Sequence, residues 1–317
     1  MAAALFRDRS DFEDTIDAAG DRLRINSAIV EKDYWVSQVL RALAQEFPED
    51  FVFKGGTSLS KGYCIIQRFS EDIDILILPR GRGSGARDKL MKLMGAKAGE
   101  AVGDRDPERK DSSTGEHRAF EIQYPRRRGV TWLRPTIRLE LGIRGGPEPH
   151  SSTGLKMLLV DALRDAGIAT AYEDLGEFNV DVLHPARTLV EKLALVNELG
   201  ERCTNDPGFE FPLAQGRHFY DIFMLLGSPL VTDFLDDRQT FAEIVGDCER
   251  VSVENFGSEY RRSQDGYASG AAFTSGGKIR EQLARAHESA REMCYGADAY
   301  PSFSDVVTRV RTAQHLL

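Results

Sequence analysis

The chain has 317 residues, 41% of them hydrophobic and 29% charged, with a formal net charge of −9. That composition builds a real core in one large domain or two smaller ones, no apolar run approaches the roughly 20 residues needed to span a bilayer, and the acidity argues against a general nucleic-acid binder, whose affinity comes from neutralising phosphates. Cys64, Cys203, Cys248 and Cys294 are far apart and form no Cys-x-x-Cys pair, so neither structural zinc nor a disulfide framework is implied.

Met1 to Phe12 carries Arg7, Asp8, Arg9 and Asp11 behind a very short apolar start, unlike a secretory signal, and a cytoplasmic location is expected. Residues 10–46 read as helical, with Ser10 a candidate cap. Phe51-Val-Phe-Lys54 reads as a strand ending in Gly55-Gly56, after which Thr57 or Ser58 can cap a helix with Leu59, Tyr63 and Ile66 on one face. Ile73 to Leu78 is the next strand, closed by Pro79. Residues 80–87 read as a flexible loop, 89–98 as a short helix, and 103–116 as an exposed, mobile stretch. Phe120–Tyr124 and Thr136–Ile143 read as strands, Leu155–Ala166 as a helix, and Phe178–Leu183 as a last strand. After Pro185 the pattern turns helical: a helix from Pro185, Arg217–Leu226, 230–250 and 278–294, with a Gly/Ser-rich loop at 263–277. The expected organisation is an α/β half over 1–184 and a helical half over 185–317.

The chemistry concentrates between Lys54 and Asp74. Residues i and i+2 of a strand face the same way, so Asp72 and Asp74 project together while Ile73 turns inward. Two carboxylates this close repel unless a cation neutralises them, and an all-oxygen pair suits Mg²⁺, which is held by one or two carboxylates plus substrate phosphates. Alone, Asp-x-Asp is also what a solvated strand start looks like. Gly55 and Gly56 let the backbone approach a ligand, amides at a helix start favour anions, Thr57 and Ser58 add hydroxyls, and Lys61 lies one turn on, in reach of a phosphate. The Walker spacing is absent. Glu140, in the alternating Arg138-Leu-Glu-Leu-Gly142, is a candidate third carboxylate, as metal ligand or base; the other reading is a surface residue paired with Arg138 or Arg144. Arg126, Arg127, Arg128, Arg134, Arg138 and Arg144 form either a solvated strand edge or a phosphate-binding patch.

Phe53-Lys-Gly-Gly-Thr-Ser-Leu-Ser-Lys61 followed by Arg68-Phe-Ser-Glu-Asp-Ile-Asp74 resembles the AbiEii/AbiGii nucleotidyltransferase toxins, which include the MenT-like toxins. Glu31-Lys-Asp-Tyr-Trp35, Pro185-Ala-Arg-Thr-Leu-Val-Glu-Lys192 and Arg217-His-Phe-Tyr-Asp221 are similar to further motifs of that family, in family order; Pro301-Ser-Phe-Ser-Asp305 is a weaker echo. The resemblance implies a bilobed α/β (α+β) protein, a polymerase-β-like nucleotidyltransferase core with a helical C-terminal part. It implies Mg²⁺ dependence and transfer of a nucleotide from an NTP to an acceptor, in studied members the 3′ end of tRNA, which stops translation, and a cognate antitoxin. Carried over by motif, Asp72 and Asp74 bind metal, Gly56 and Ser58 hold the triphosphate, Lys192 neutralises phosphate charge, and Asp221 is a further essential acid. Glu140 rests on strand geometry alone.

Other readings remain beside these. Lys192 can be a solvated helix residue. Asp221 stands among Phe219, Tyr220, Ile222 and Phe223 and needs a partner, either Arg217 at i−4 or Lys192 or a substrate hydroxyl. Glu31, Lys32 and Asp33 read as a salt-bridge set bracing the site. A protein or small-molecule hydroxyl is an alternative acceptor, and a nucleotide-binding module without turnover an alternative function. Ser70, two residues before Asp72, is a candidate phosphorylation site whose added charge would oppose triphosphate binding.

Overall fold

The computed structural model describes residues 4–70, 72–131, 133–164, 172–258, 260–295 and 300–317, with the backbone alone at Phe256. By its internal contacts the chain divides into two units, Met1–Cys64 with Phe69–Leu183, and Ile65–Arg68 with His184–Leu317.

The first unit is a seven-stranded mixed sheet with helices. The stretch expected to be one helical region is two helices, α1 (Phe12–Leu23) and α2 (Ser27–Glu46), parted where Arg24 turns left-handed at φ 56° and Asn26 caps α2 by accepting from the Ala28 amide. β1 (Phe51–Lys54) leads directly into α3 (Gly55–Lys61), then β2 (Asp72–Ile77) and α4 (Ser84–Val102). There follow β3 (Glu108–Ser113), β4 (His117–Ile122), β5 (Ile137–Gly142), β6 (His150–Gly154), α5 (Leu158–Leu163) and β7 (Asn179–Leu183). The spatial order is β3-β4-β5-β2-β1-β7-β6, with β2 parallel to β5, β1 parallel to β7, and β1 antiparallel to β2.

The two-residue period gives this sheet two unlike faces. Phe51, Phe53, Ile73, Ile75, Ile77, Leu139, Leu141, Val180 and Val182 join Val30, Tyr34, Val39 and Leu40 of α2 in one apolar core. The opposite face carries a small patch of Val52, Leu76 and Leu183 and, by the same alternation and register, Lys54, Asp72, Asp74, Arg138 and Glu140.

Two strands were not foreseen. β3 replaces part of the expected loop at 103–116; all six of its residues are exposed, so it shows no apolar alternation. It is one edge of the sheet and β6 is the other, where charge and polarity discourage further pairing. α4 is longer than expected, and it makes close approaches at two glycines: a Cβ at Gly95 would stand 2.4 Å from the Phe120 ring, and one at Gly99 2.4 Å from the Asp104 carbonyl oxygen. The helix expected over 155–166 spans Leu158–Leu163, and residues 165–166 lie outside the described residues.

The second unit is helical: α6 (Pro185–Asn205), α7 (Arg217–Leu226), α8 (Pro229–Leu235), α9 (Arg238–Phe256), α10 (Ala271–Thr274), α11 (Gly277–Ser289) and α12 (Phe303–Thr312). Pro185 opens α6 where its missing N–H costs nothing. The single helix expected over 230–250 is two, because Asp237 caps α9 through the Gln239 and Thr240 amides. Ser302 and Asp305 cap α12 reciprocally. Among the described residues no helix is long and apolar enough to cross a membrane.

In the Glu31-Lys-Asp33 run of α2, expected as a salt-bridge set bracing the site, Asp33 forms an ion pair with Lys61 while Glu31 and Lys32 bond backbone groups. Buried Glu31 accepts from the Arg127 and Arg128 amides at 2.7 and 2.8 Å, and Lys32 Nζ donates to the Arg134 carbonyl at 2.9 Å. Asp33 takes the Lys61 ammonium at 2.5 Å on one oxygen and the Leu158 amide at 2.9 Å on the other. Removing one member of a buried pair strands the other charge. Asp33→Ala is therefore expected to lose about 3–5 kcal/mol of stability in denaturant unfolding, and adding Lys61→Met to recover part of it.

Candidate active site

The site is built from β1, α3, β2 and β5. Phe53 turns into the core, so Lys54 and the chain entering Gly55 lie at the edge of the polar face. Gly55 has φ 79°, a conformation that favours glycine, and a Cβ there would stand 2.0 Å from Asp74 Oδ2. The glycine turn and the second carboxylate of Asp-x-Asp are thus one packing unit. Asp72 and Asp74 are both half-buried on either side of fully buried Ile73.

α3 starts at Gly55 rather than after it, which changes what Thr57 and Ser58 do. Neither is the cap. Thr57 Oγ1 donates to the Asp72 carbonyl at 2.6 Å, tying α3 to the first residue of β2, and Ser58 Oγ donates to the Gly55 carbonyl at 2.8 Å. Both are buried, Ser58 completely, and their hydroxyls hold the turn in shape. Gly56 is buried beside them. Lys61, expected to reach a phosphate, is buried with its ammonium on Asp33. Ser70 is also buried, so its modification would require local opening.

Glu140 stands beside Asp74 across the β2–β5 pairing, and Arg138 stands beside Asp72. Arg138 Nε donates to Glu140 Oε1 at 2.5 Å, and its Nη1 lies 3.5 Å from Glu121 Oε1. Burial opposes the Arg138 charge, but Glu140, then Asp72 and Glu121, outweigh it and raise its pKa. Glu140 therefore takes the Arg138 partnership. Among the described residues no group of three or more His, Cys, Asp or Glu side chains is placed to hold a metal ion. The surrounding arginines are largely matched by acids as well: Arg128 by Glu13 and Asp17, Arg134 by Glu121, and Arg144 by Glu116. That pairing favours a charge-balanced edge over an open phosphate patch.

In the helical unit Asp221 on α7 has no exposed surface. Its partner is not Arg217 but Arg68, whose Nε and Nη2 donate to the two carboxylate oxygens at 2.6 and 2.8 Å. Lys192 on α6 adds a contact of 2.9 Å to Oδ2. Burial pushes the Asp221 pKa up, yet Arg68 and Lys192 together bring it far below the usual carboxylate range. Lys192 Nζ also lies 3.0 Å from His218 Nδ1. An ammonium has only hydrogens to donate, so Nδ1 accepts and the imidazole proton sits on Nε2, 2.6 Å from Gln215 Oε1. His218 is held neutral, its pKa driven well below the ordinary value by burial and by the Lys192 charge. Lys192 is thus not a solvated helix residue; its side chain is 8% exposed. Arg68 is the residue to which no role was given. The signal was present: it is the arginine of an apolar run, Ile65-Ile66-Gln67-Arg68-Phe69, and a buried acid was lacking a cation.

The family model for the AbiEii nucleotidyl transferase toxin of type IV toxin–antitoxin systems matches residues 38–309. The chain belongs to the AbiEii nucleotidyltransferase toxin family. The glycine turn, Asp72, Asp74, Lys192 and Asp221 all lie in the matched region; Glu31 to Trp35 precedes it. Among solved structures the chain is similar to MenT4, a nucleotidyltransferase toxin from Mycobacterium tuberculosis H37Rv, with a TM-score of 0.51 and 16% identity over 95% of each chain. At that identity the likeness concerns the fold, which in this chain is a mixed seven-stranded sheet with helices. No curated protein matches the sequence. In this AbiEii-family chain the cavity of about 570 Å³ lined by Phe223, Leu226, Thr232, Thr308 and Arg309 contains none of the signature residues.

Two outcomes follow from the packing. Gly55→Ala forces a Cβ onto Asp74 and is expected to cost roughly 1–3 kcal/mol of stability, read by denaturant unfolding, and to lower nucleotide transfer. Asp221→Asn leaves two cations buried and should cost about 3–5 kcal/mol, with Arg68→Met in the same chain restoring part of the loss.

Proposed function

We propose that this AbiEii-family chain is a Mg²⁺-dependent nucleotidyltransferase of the EC 2.7.7 type, acting in the cytoplasm and moving a nucleotide from an NTP to the 3′ end of tRNA. The observation that carries this reading is the pair Asp72 and Asp74 on one face of β2, with Asp74 packed on Gly55. Two half-buried carboxylates fit Mg²⁺, a hard cation that takes oxygen ligands and keeps positions for water and phosphate. When bound, such an ion offsets the charge of the triphosphate oxygens and of the departing pyrophosphate.

The chain's own residues supply the rest. Asp72 and Asp74 are the metal holders. Gly55, with Thr57 and Ser58 locking the turn, keeps the backbone low so that a triphosphate can approach. Lys192 and Asp221, with Arg68 and His218, form a fixed charge cluster in the helical unit, and their part is to position rather than to exchange protons. The acceptor hydroxyl oxygen forms a bond to the α-phosphorus and loses its proton to solvent, the bond from the α-phosphorus to the α–β bridging oxygen breaks, and pyrophosphate leaves. The tRNA acceptor and the antitoxin partner rest on the family resemblance. The charge-matched arginine edge favours keeping a protein or small-molecule acceptor as the second reading.

Incubation of the protein with each α-labelled NTP, Mg²⁺ and total tRNA is expected to label tRNA at its 3′ end. Asp72→Ala is expected to reduce the rate by about 10²-fold or more and to relieve growth arrest when the chain is expressed in a bacterium. Label that survives nuclease would move the acceptor to the second reading; no transfer with any NTP would sink both.

A further inference from the structure

Six ionisable side chains share the polar face around the Asp-x-Asp pair: the acids Asp72, Asp74, Glu121 and Glu140, and the cations Lys54, beside Asp74, and Arg138. Register places Arg138 beside Asp72, Glu140 beside Asp74, and Glu121 on the far side of Arg138. Arg138 is the cation at the centre of this set. Its guanidinium holds Glu140 at 2.5 Å and lies 3.5 Å from Glu121. A fork with five donors can serve several carboxylates from one position, which a lysine does less rigidly. The side chain is 27% exposed, so its charge is partly shielded from water and acts on its neighbours.

We propose that Arg138 is the resident counter-cation of the Asp72–Asp74 centre and sets how tightly that centre takes a divalent ion, while Glu140 holds Arg138 in place rather than ligating. The inference rests on the reading of Asp72 and Asp74 as the metal pair. Adjacent acids repel one another; Arg138, the cation beside Asp72 and bound to Glu140, relieves part of that repulsion in the nucleotide-free protein. The same positive charge opposes entry of a bare dication. A metal that arrives with a triphosphate is favoured, because the nucleotide's negative charge offsets Arg138. Arg138 is thereby a positioning and selectivity residue, favouring the metal–nucleotide complex over the free ion.

The test titrates Mg²⁺ into the full-length protein by calorimetry at low ionic strength, without nucleotide, and reads thermal unfolding with and without the ion. Arg138→Gln is expected to bind Mg²⁺ about three- to thirtyfold more tightly than the parent, with a larger Mg²⁺-dependent rise in Tm and a difference that shrinks in high salt. Arg138→Lys, which keeps the charge, is expected to stay close to the parent. Equal or weaker Mg²⁺ binding by Arg138→Gln overturns the inference. If that variant unfolds in chelator but folds on adding Mg²⁺, the counter-cation role stands; if it stays unfolded with Mg²⁺, Arg138 is a structural residue and the inference falls. Asp72→Ala separates the two levels. Parent binding that Asp72→Ala abolishes but Arg138→Gln leaves unchanged overturns this inference alone. A parent that binds no Mg²⁺, with or without NTP, overturns the metal reading and this inference with it.

Discussion

A carboxylate removed from water stays ionised only if a cation or several donors meet it where it stands, and that constraint shapes this chain from end to end. Asp221 is the strongest case, fully buried and held by Arg68 and Lys192. Asp33 with Lys61, Asp88 with Arg118, and Glu31 with two backbone amides repeat it in the first unit. Each pairing joins segments distant in sequence, so each fixes tertiary register as well as charge. Such pairs are weak sources of net stability but costly to break singly, which suits elements that must stay in one geometry.

The residues 65–68 show what this does to the signature. Between α3 and β2 the chain contributes four residues to the helical unit, where Arg68 meets Asp221, the Gln67 amide donates to Tyr220 Oη at 3.2 Å, and the Gln67 carbonyl accepts from the Tyr295 amide at 2.9 Å. The connection between the glycine turn and the Asp-x-Asp strand is therefore not a loose loop. Asp221, with Lys192 beside it, holds Arg68 of that connection. The half-buried side chains on the polar face include Lys54, Asp72, Asp74, Arg138 and Glu140.

The family match and the fold likeness support the same architecture from independent directions, one from sequence over residues 38–309 and one from the backbone over 95% of the chain. Neither bears on the acceptor. The arginine-rich stretch after β4, the part of the sequence that looked most like a polyanion surface, is balanced by Glu13, Asp17, Glu121 and Glu116. A group's charge in the sequence and the field it presents are different quantities once its neighbours are in place.

What could be read from the residues alone was whatever a local rule controls. The alternation Asp72-Ile73-Asp74 put two carboxylates on one face, glycine at 55 marked a backbone that must come close to something, and Pro185 opened a helix; each depends only on neighbours along the chain. The edge strands β3 and β6 escaped because an edge need not alternate. The partners of charged groups escaped for a deeper reason: Asp221 finds Arg68 at a separation of 153 residues, and Lys61 finds Asp33 across 28. The sequence by itself determined which side chains are ionisable and which face of a strand they take. Only the tertiary structure decided which of those charges neutralise one another and which stay on the polar face around Asp72 and Asp74, because electrostatic pairing depends on distance in space.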